Sequence, residues 1–204
     1  MPSIKLLVNI IVSGINIFIL SRYMYLLYHK KISPSLAMWT FFTLAVAITL
    51  TTCFAEGSYS ISDNMLNVTD LMLAAGVSVS ILIWGDHSTR FNRFDMGCLL
   101  AVIAIIAFWA ISKNNVLANY SIQCIMVISY FPVIRRMAHQ KKNTEAFSIW
   151  IALFLAPVIS LFAIKGWLAS VYAVRAVVCT GTLLLLMLRI EILNRKKAAV
   201  LPDD

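Results

Sequence analysis

The chain has 204 residues, of which 61% are hydrophobic and 13% are charged, and its mean hydropathy is +0.86. A soluble domain carries about 25% charged residues, so this composition excludes a soluble globular protein. The net charge of +8 would suit a nucleic-acid-binding protein, but the positions of the basic residues exclude that partner, as shown below.

Seven apolar stretches are long enough to cross a membrane as helices, because a bilayer core about 30 Å thick needs roughly 20 apolar residues per span. The first stretch has only Lys5 before it and lacks a small-residue cleavage site, so we expect it to be retained rather than removed as a signal peptide. The sequence predicts an all-α integral membrane protein in contact with the lipid bilayer, with helices over 6–28, 35–54, 64–84, 94–112, 116–136, 144–164 and 167–190.

The basic residues concentrate on one membrane face. Short loops rich in Lys and Arg remain in the cytoplasm, so we predict an outside N-terminus and a cytoplasmic C-terminus. The excess of positive charge thus indicates topology and not nucleic acid. With seven spans, the cytoplasmic face receives Lys30, Lys31, Arg90, Arg93, Arg135, Arg136, Lys141, Lys142, Arg189, Arg195, Lys196 and Lys197, and the other face receives Lys5, Lys113 and Lys165.

The two halves of the chain are related by an internal repeat. Sliding the sequence by 111 positions aligns Lys30-Lys31 with Lys141-Lys142 and Trp39 with Trp150 without a gap. Helices 1–3 therefore resemble helices 5–7, and the single helix between them gives both units the same orientation. Transporters built from such repeats bind their substrate near the midplane, where the repeats meet. The predicted units are a three-helix bundle over 1–84, a linker helix within 85–113, a second bundle over 114–193 and a cytoplasmic tail over 194–204.

The segment Ser129-Tyr-Phe-Pro-Val-Ile-Arg-Arg, followed by Lys142-Asn-Thr-Glu-Ala-Phe-Ser148, resembles the PQ-loop motif of the SWEET and PQ-loop superfamily. Pro132 stands where that family has its proline. The resemblance implies seven helices in a 3+1+3 plan and a transporter that works by alternating access. In sugar-carrying members a Trp on the second helix of each unit and an Asn on the third face the cavity. The best-matching positions here are Thr51 and Phe162, and no Asn lies in the middle of helix 3 or 7. An amino-acid-like solute is accordingly favoured over a sugar.

The same resemblance leaves a second function open. The KDEL receptor is similar in fold but recognises a peptide, and fold alone does not determine function. The alternative hypothesis is therefore a membrane receptor that binds a peptide or a lipid headgroup without transport.

One acidic and one basic residue fall inside predicted spans. Asp70 precedes Gly76 by six positions, and Arg175 precedes Gly181 by six. Because a charge in hydrocarbon costs several kcal/mol unless it is paired or hydrated, we predict that both side chains face one shared cavity. They would bind a charged or zwitterionic solute or form a gate. A static ion pair is the structural alternative, and coupling to protons through Asp70 is a weaker hypothesis.

Further polar residues and two prolines complete the candidate site. Asn16 and Gln123 are deep, amide-bearing cavity candidates, and Thr182 continues a polar stripe below Arg175. Interhelical hydrogen bonds are the alternative role for such residues. Pro132 and Pro157 interrupt helices and are candidate hinges. We predict neither an enzyme, a cofactor nor a metal site, and the sequence leaves the oligomeric state open.

Overall fold

The computed structural model describes residues 2–32, 34, 36–57, 60–85, 93–130, 134, 137 and 145–200. Within these ranges the chain forms seven α-helices and no strand, so the all-helical prediction is confirmed. One turn of 3-10 helix, Ile61–Asp63, precedes the third helix. The α-helices are α1 (Pro2–Tyr28), α2 (Leu36–Ala55), α3 (Met65–Trp84), α4 (Arg93–Ser112), α5 (Asn115–Ile128), α6 (Phe147–Ser160) and α7 (Trp167–Val200).

Helices α1, α2, α3 and α7 each contain a segment long and apolar enough to cross a membrane. The described apolar segments of α4, α5 and α6 are shorter, at 10–17 residues each. Large apolar side chains such as Leu6, Ile10 and Ile17 are exposed on the outer surface, whereas asparagine, glutamine and threonine side chains are buried inside. Such a distribution suits lipid and not water, and it indicates a membrane protein.

Two helix ends differ from the predicted spans. Helix α6 covers Phe147–Ser160 instead of 144–164. Its last carbonyl groups are used in a tight turn, in which the N–H groups of Phe162 and Ala163 bind the carbonyls three residues earlier. The described part of α5 ends at Ile128, and the remainder of its predicted span, 131–136, lies largely outside the described residues.

Helix α1 ends in a Schellman-type turn. Lys30 adopts a positive φ of 51°, while its N–H binds the Leu27 carbonyl and the N–H of Lys31 binds the Leu26 carbonyl.

The helices pack so that α3 contacts both α1 and α2, and α7 contacts α6. Across the molecule, α1 packs against α6 and α2 packs against α5, while α4 lies on α5 and α2. The first part of α3 and the first part of α7 also meet, at the candidate site, where the Tyr172 hydroxyl binds Asp70.

Candidate functional site

A cavity of about 50 Å³ lies between helices from the two halves of the chain. Its walls come from α1, α2 and α3 on one side and from α6 and α7 on the other, with Tyr130 following α5. A cavity of this size holds a few water molecules. Asp70 and Arg175 both line it.

Asp70 is held by two uncharged donors from different helices. Its Oδ1 accepts a hydrogen bond from Asn16 Nδ2 at 2.8 Å, and its Oδ2 accepts one from the Tyr172 hydroxyl at 2.7 Å. Asn16 Nδ2 also lies 2.8 Å from the Thr69 hydroxyl. The carboxyl group is thus positioned by α1 and α7 together, although it belongs to α3.

Arg175 is buried, with 8% of its surface exposed. Its Nε donates a hydrogen bond to Gln123 Oε1 at 2.9 Å. The centre of the guanidinium group lies 4.6 Å from the centre of the Tyr172 ring, which is within the range of a cation–π interaction. Gln123 itself is fixed by its Nε2, which lies 3.1 Å from the Thr49 hydroxyl of α2.

Tyr172 interacts with both charged groups at once. Its hydroxyl binds Asp70, and its ring contacts the Arg175 guanidinium. Among the described residues, no ion pair within 4 Å joins Asp70 to Arg175. The acid and the base therefore share a cavity without being directly paired.

Similar side chains also recur in α1 and in or just after α5, at a spacing of 107 positions instead of the 111 that relates the loops. Asn16 in α1 and Gln123 in α5 are 107 positions apart, and so are Tyr23 and Tyr130. Each tyrosine makes an edge-on contact with the tryptophan of its own half. The ring centroids are 5.1 Å apart for Tyr23 and Trp39, and 6.1 Å apart for Tyr130 and Trp150.

The cavity walls from α2 and α6 follow the repeat. Three pairs of lining residues are separated by the same 111 positions as the basic pairs of the loops. The corresponding turns of α2 and α6 thus present equivalent faces to the cavity. The pairs are Trp39 with Trp150, Phe42 with Leu153, and Val46 with Pro157.

Three buried polar atoms of cavity-lining residues have no hydrogen-bond partner among the described residues: Asn16 Oδ1, Trp39 Nε1 and Arg175 Nη1. A buried donor or acceptor without a partner costs about 1–3 kcal/mol, and more when it is charged. Water or a solute in the cavity would satisfy these atoms. The set contains one acceptor and two donors.

Four residues expected in the cavity do not line it: Gln123, Thr51, Thr182 and Phe162. Gln123 is buried and bound to Arg175, whereas the other three lie elsewhere. Thr51 is exposed, and its hydroxyl donates to the Ala47 carbonyl of its own helix at 2.7 Å. Thr182 bonds in the same way to the Val178 carbonyl at 2.8 Å. Phe162, which is 77% exposed, lies in the turn after α6. Helical rotation explains the difference for Thr51, because a step of one or two residues turns a side chain to another face. Thr49 and Thr52 are the buried ones in α2.

The structure describes one of the two candidate hinge prolines. Pro157 lines the cavity from inside α6, three residues before that helix ends at Ser160. Pro132 and most of the PQ-loop-like segment lie outside the described residues. The role of Pro132 therefore stays a prediction.

Tyr172 was not predicted from the sequence as a residue of the site. It lies three residues before Arg175 in the same helix, and residues three apart share a helical face. This spacing was the available signal. In the part of the chain that the structure describes, no group of three or more His, Cys, Asp or Glu side chains is close enough to hold a metal ion.

Comparisons with models of protein families, with curated proteins and with solved structures gave no match. The resemblance to the SWEET and PQ-loop superfamily therefore stays a prediction from the residues that carry it. Function has to be argued from the chemistry of the cavity.

Proposed function

We propose that this protein is a membrane carrier that moves a small zwitterionic or charged metabolite, amino-acid-like rather than a sugar, by alternating access. One observation carries the proposal: Asp70 and Arg175 line one cavity, and each is held by an uncharged amide instead of by the other. A zwitterionic solute has one charge for each of them.

The arrangement of the two charges favours ligand binding over a static ion pair. A static pair would place the carboxylate directly on the guanidinium, because the cost of charges in a membrane falls when they pair. Instead, Tyr172 binds both groups, and Arg175 Nη1 and Asn16 Oδ1 have no partner among the described residues. The solute would supply the missing donors and acceptors.

The helix packing supports alternating access. If α1 corresponds to α5 and α2 to α6, the contact of α1 with α6 corresponds to the contact of α5 with α2, and both contacts are present. A two-fold rotation that related a bundle of α1–α3 to a bundle of α5–α7 would produce these two reciprocal contacts. A cavity at such an axis opens alternately to either side when the bundles rock against each other.

The size of the cavity implies that the bundles move. A volume of about 50 Å³ admits water but is small beside the roughly 300–1,000 Å³ of typical small-molecule sites. Entry of a metabolite therefore requires separation at the α1–α6 or α2–α5 contacts. Pro157, and by prediction Pro132, are the candidate hinges. The distribution of basic residues supports an outside N-terminus and a cytoplasmic C-terminus.

Counterflow in reconstituted vesicles tests the proposal. Vesicles containing the purified protein are loaded with a mixture of unlabelled amino acids, and the entry of trace labelled amino acids is measured one at a time. We expect counterflow of at least one amino acid, lost in Asp70→Asn and retained in Asp63→Asn, which removes an acid outside the cavity. Saturable binding without counterflow would replace the carrier with the receptor hypothesis.

A further inference from the structure

The cavity has a charged end and an aromatic end. Asp70 and Arg175 lie in the first third of α3 and of α7, whereas Trp39 and Trp150 lie in the first turn or so of α2 and of α6. Short connections join α2 to α3 and α6 to α7, so the helices of each pair run in opposite directions. The tryptophans and the charges are therefore at opposite ends of the cavity.

The charged end matches the head of an α-amino acid. Asp70 and the free Asn16 Oδ1 are acceptors, and the free Arg175 Nη1 is a donor. An ammonium group offers donors only, and a carboxylate offers acceptors only. An α-amino acid carries both groups on one carbon, so one head can satisfy all of these atoms together.

The aromatic end offers few hydrogen-bond partners to a polar side chain of the solute. Its rings contact each other across the two halves, with centroids 6.1 Å apart for Trp39 and Phe42 and 5.4 Å apart for Phe42 and Tyr130. Leu73 and Leu153 add aliphatic surface. Of the two tryptophans at this end, Trp39 has its Nε1 donor without a partner among the described residues, whereas Trp150 Nε1 donates to the buried Glu145 carboxylate at 3.4 Å.

We infer that the solute is an α-amino acid with an uncharged, apolar side chain, such as leucine, methionine or phenylalanine. This inference rests on the proposed function and narrows it. Burying an apolar side chain against Leu73, Leu153 and the rings is favourable in proportion to the area removed from water.

The same lining disfavours the other classes of amino acid and sugars. A lysine or arginine side chain carries donors only. At the aromatic end the unpartnered Trp39 Nε1 is itself a donor, and the buried Glu145 already accepts a hydrogen bond from Trp150 Nε1. A glutamate side chain would bury a charge without a cation. A sugar would leave hydroxyl groups without partners along the apolar walls.

Ligand-induced thermal stabilisation of the purified protein tests the inference, because a ligand that binds the folded state raises its apparent stability. The probes are L-leucine, L-methionine, L-phenylalanine, glycine, L-lysine, L-glutamate and glucose. We expect the first three to bind at least about tenfold more tightly than glycine, with no stabilisation by lysine, glutamate or glucose. Removing one charge from leucine, as in 3-methylbutylamine or 4-methylpentanoate, should abolish stabilisation. Equal stabilisation by lysine and leucine would overturn the inference.

A matched pair of variants in α6 tests where the side chain binds. Leu153 lines the cavity, and Leu155, two residues on, is exposed outside it. Leu153→Ala enlarges the aromatic end, so its preference for phenylalanine over leucine should rise at least about threefold. Leu155→Ala should keep the wild-type preference. An unchanged preference in Leu153→Ala, in a protein that still binds leucine, contradicts the placement.

Counterflow and binding, measured together, distinguish failure of this inference from failure of the carrier proposal. Binding of leucine without counterflow rejects the carrier and keeps the ligand class. Counterflow of glycine, lysine or glucose, combined with no binding of leucine, keeps the carrier and rejects the ligand class.

Discussion

Asn16 in α1 and Gln123 in α5 each bind a charged side chain, Asn16 through the nitrogen of its amide and Gln123 through the oxygen. Asn16 donates through Nδ2 to Asp70, whereas Gln123 accepts through Oε1 from Arg175. The two halves thus use the same type of side chain to position charges of opposite sign. The cavity thereby has one acidic and one basic side chain in its lining, each held by an amide.

The first prediction concerns the pairing of the two charges. Asp70→Asn and Arg175→Gln should each lower counterflow by more than about tenfold, and the double variant should not recover it, because each group binds its own part of the solute. A static ion pair predicts the opposite, since removing one partner leaves a buried unpaired charge and removing both relieves it. Counterflow and thermal stability of the four proteins in a double-mutant cycle distinguish these results.

The second prediction concerns Asn16. Asn16→Leu removes the hydrogen bonds from Nδ2 to Asp70 and Thr69, and a hydrogen bond to a charged group contributes about 1.5–3 kcal/mol. We expect a clear loss of thermal stability and of solute binding. Thr51→Val is the matched control, because the Thr51 hydroxyl bonds only within its own helix. Comparable losses in both variants would contradict a special role for Asn16.

The third prediction concerns an ion pair at the helix ends. Lys5 of α1 lies 2.5 Å from Asp63 Oδ1, and hydrogen bonds from Lys5 and from Ser60 lower the pKa of Asp63 from 3.8 to about 2. A lowered pKa in the folded state stabilises the protein above about pH 3.8, and this contribution is lost as the pH falls towards 2.

Thermal unfolding between pH 5 and pH 2 measures this effect, and Asp63→Asn should remove part of the acid sensitivity. The contribution of such a partly exposed ion pair near the surface is small, about 1 kcal/mol, and decreases with added salt. Asp63→Asn should leave counterflow intact, because Asp63 does not line the cavity. An identical acid transition in the wild type and in Asp63→Asn would contradict the assignment.

The fourth prediction concerns two glycines with different surroundings. A Cβ added at Gly76 in α3 would lie 2.9 Å from a Leu20 methyl group of α1, whereas one added at Gly14 in α1 would meet nothing within 4 Å. Gly14→Ala should keep or raise thermal stability, since alanine favours a helix over glycine. Gly76→Ala should be less stable than Gly14→Ala by about 1 kcal/mol, because Leu20 has to move. Equal melting temperatures would show that the α1–α3 contact tolerates the added methyl group.

The sequence by itself determined the class of structure. Its long apolar stretches predict membrane helices because a backbone in lipid must satisfy its own hydrogen bonds. Four helices of the required length and hydropathy are present in the described part of the chain. The glycine register also related Asp70 to Arg175, and both line the same cavity. These features follow from hydropathy and spacing, which are readable along one chain.

The tertiary structure decided which side chains meet. Hydropathy does not determine the rotation of an apolar helix about its axis, so Thr51 and Thr182 could not be distinguished from the inward-facing Thr49 before the packing was known. The position of Tyr172 between the two charges depends on α7 packing beside α3, a contact between residues 102 positions apart. Such contacts depend on how closely the side chains of two helices pack together. That packing is a property of the folded structure and is not visible along the sequence.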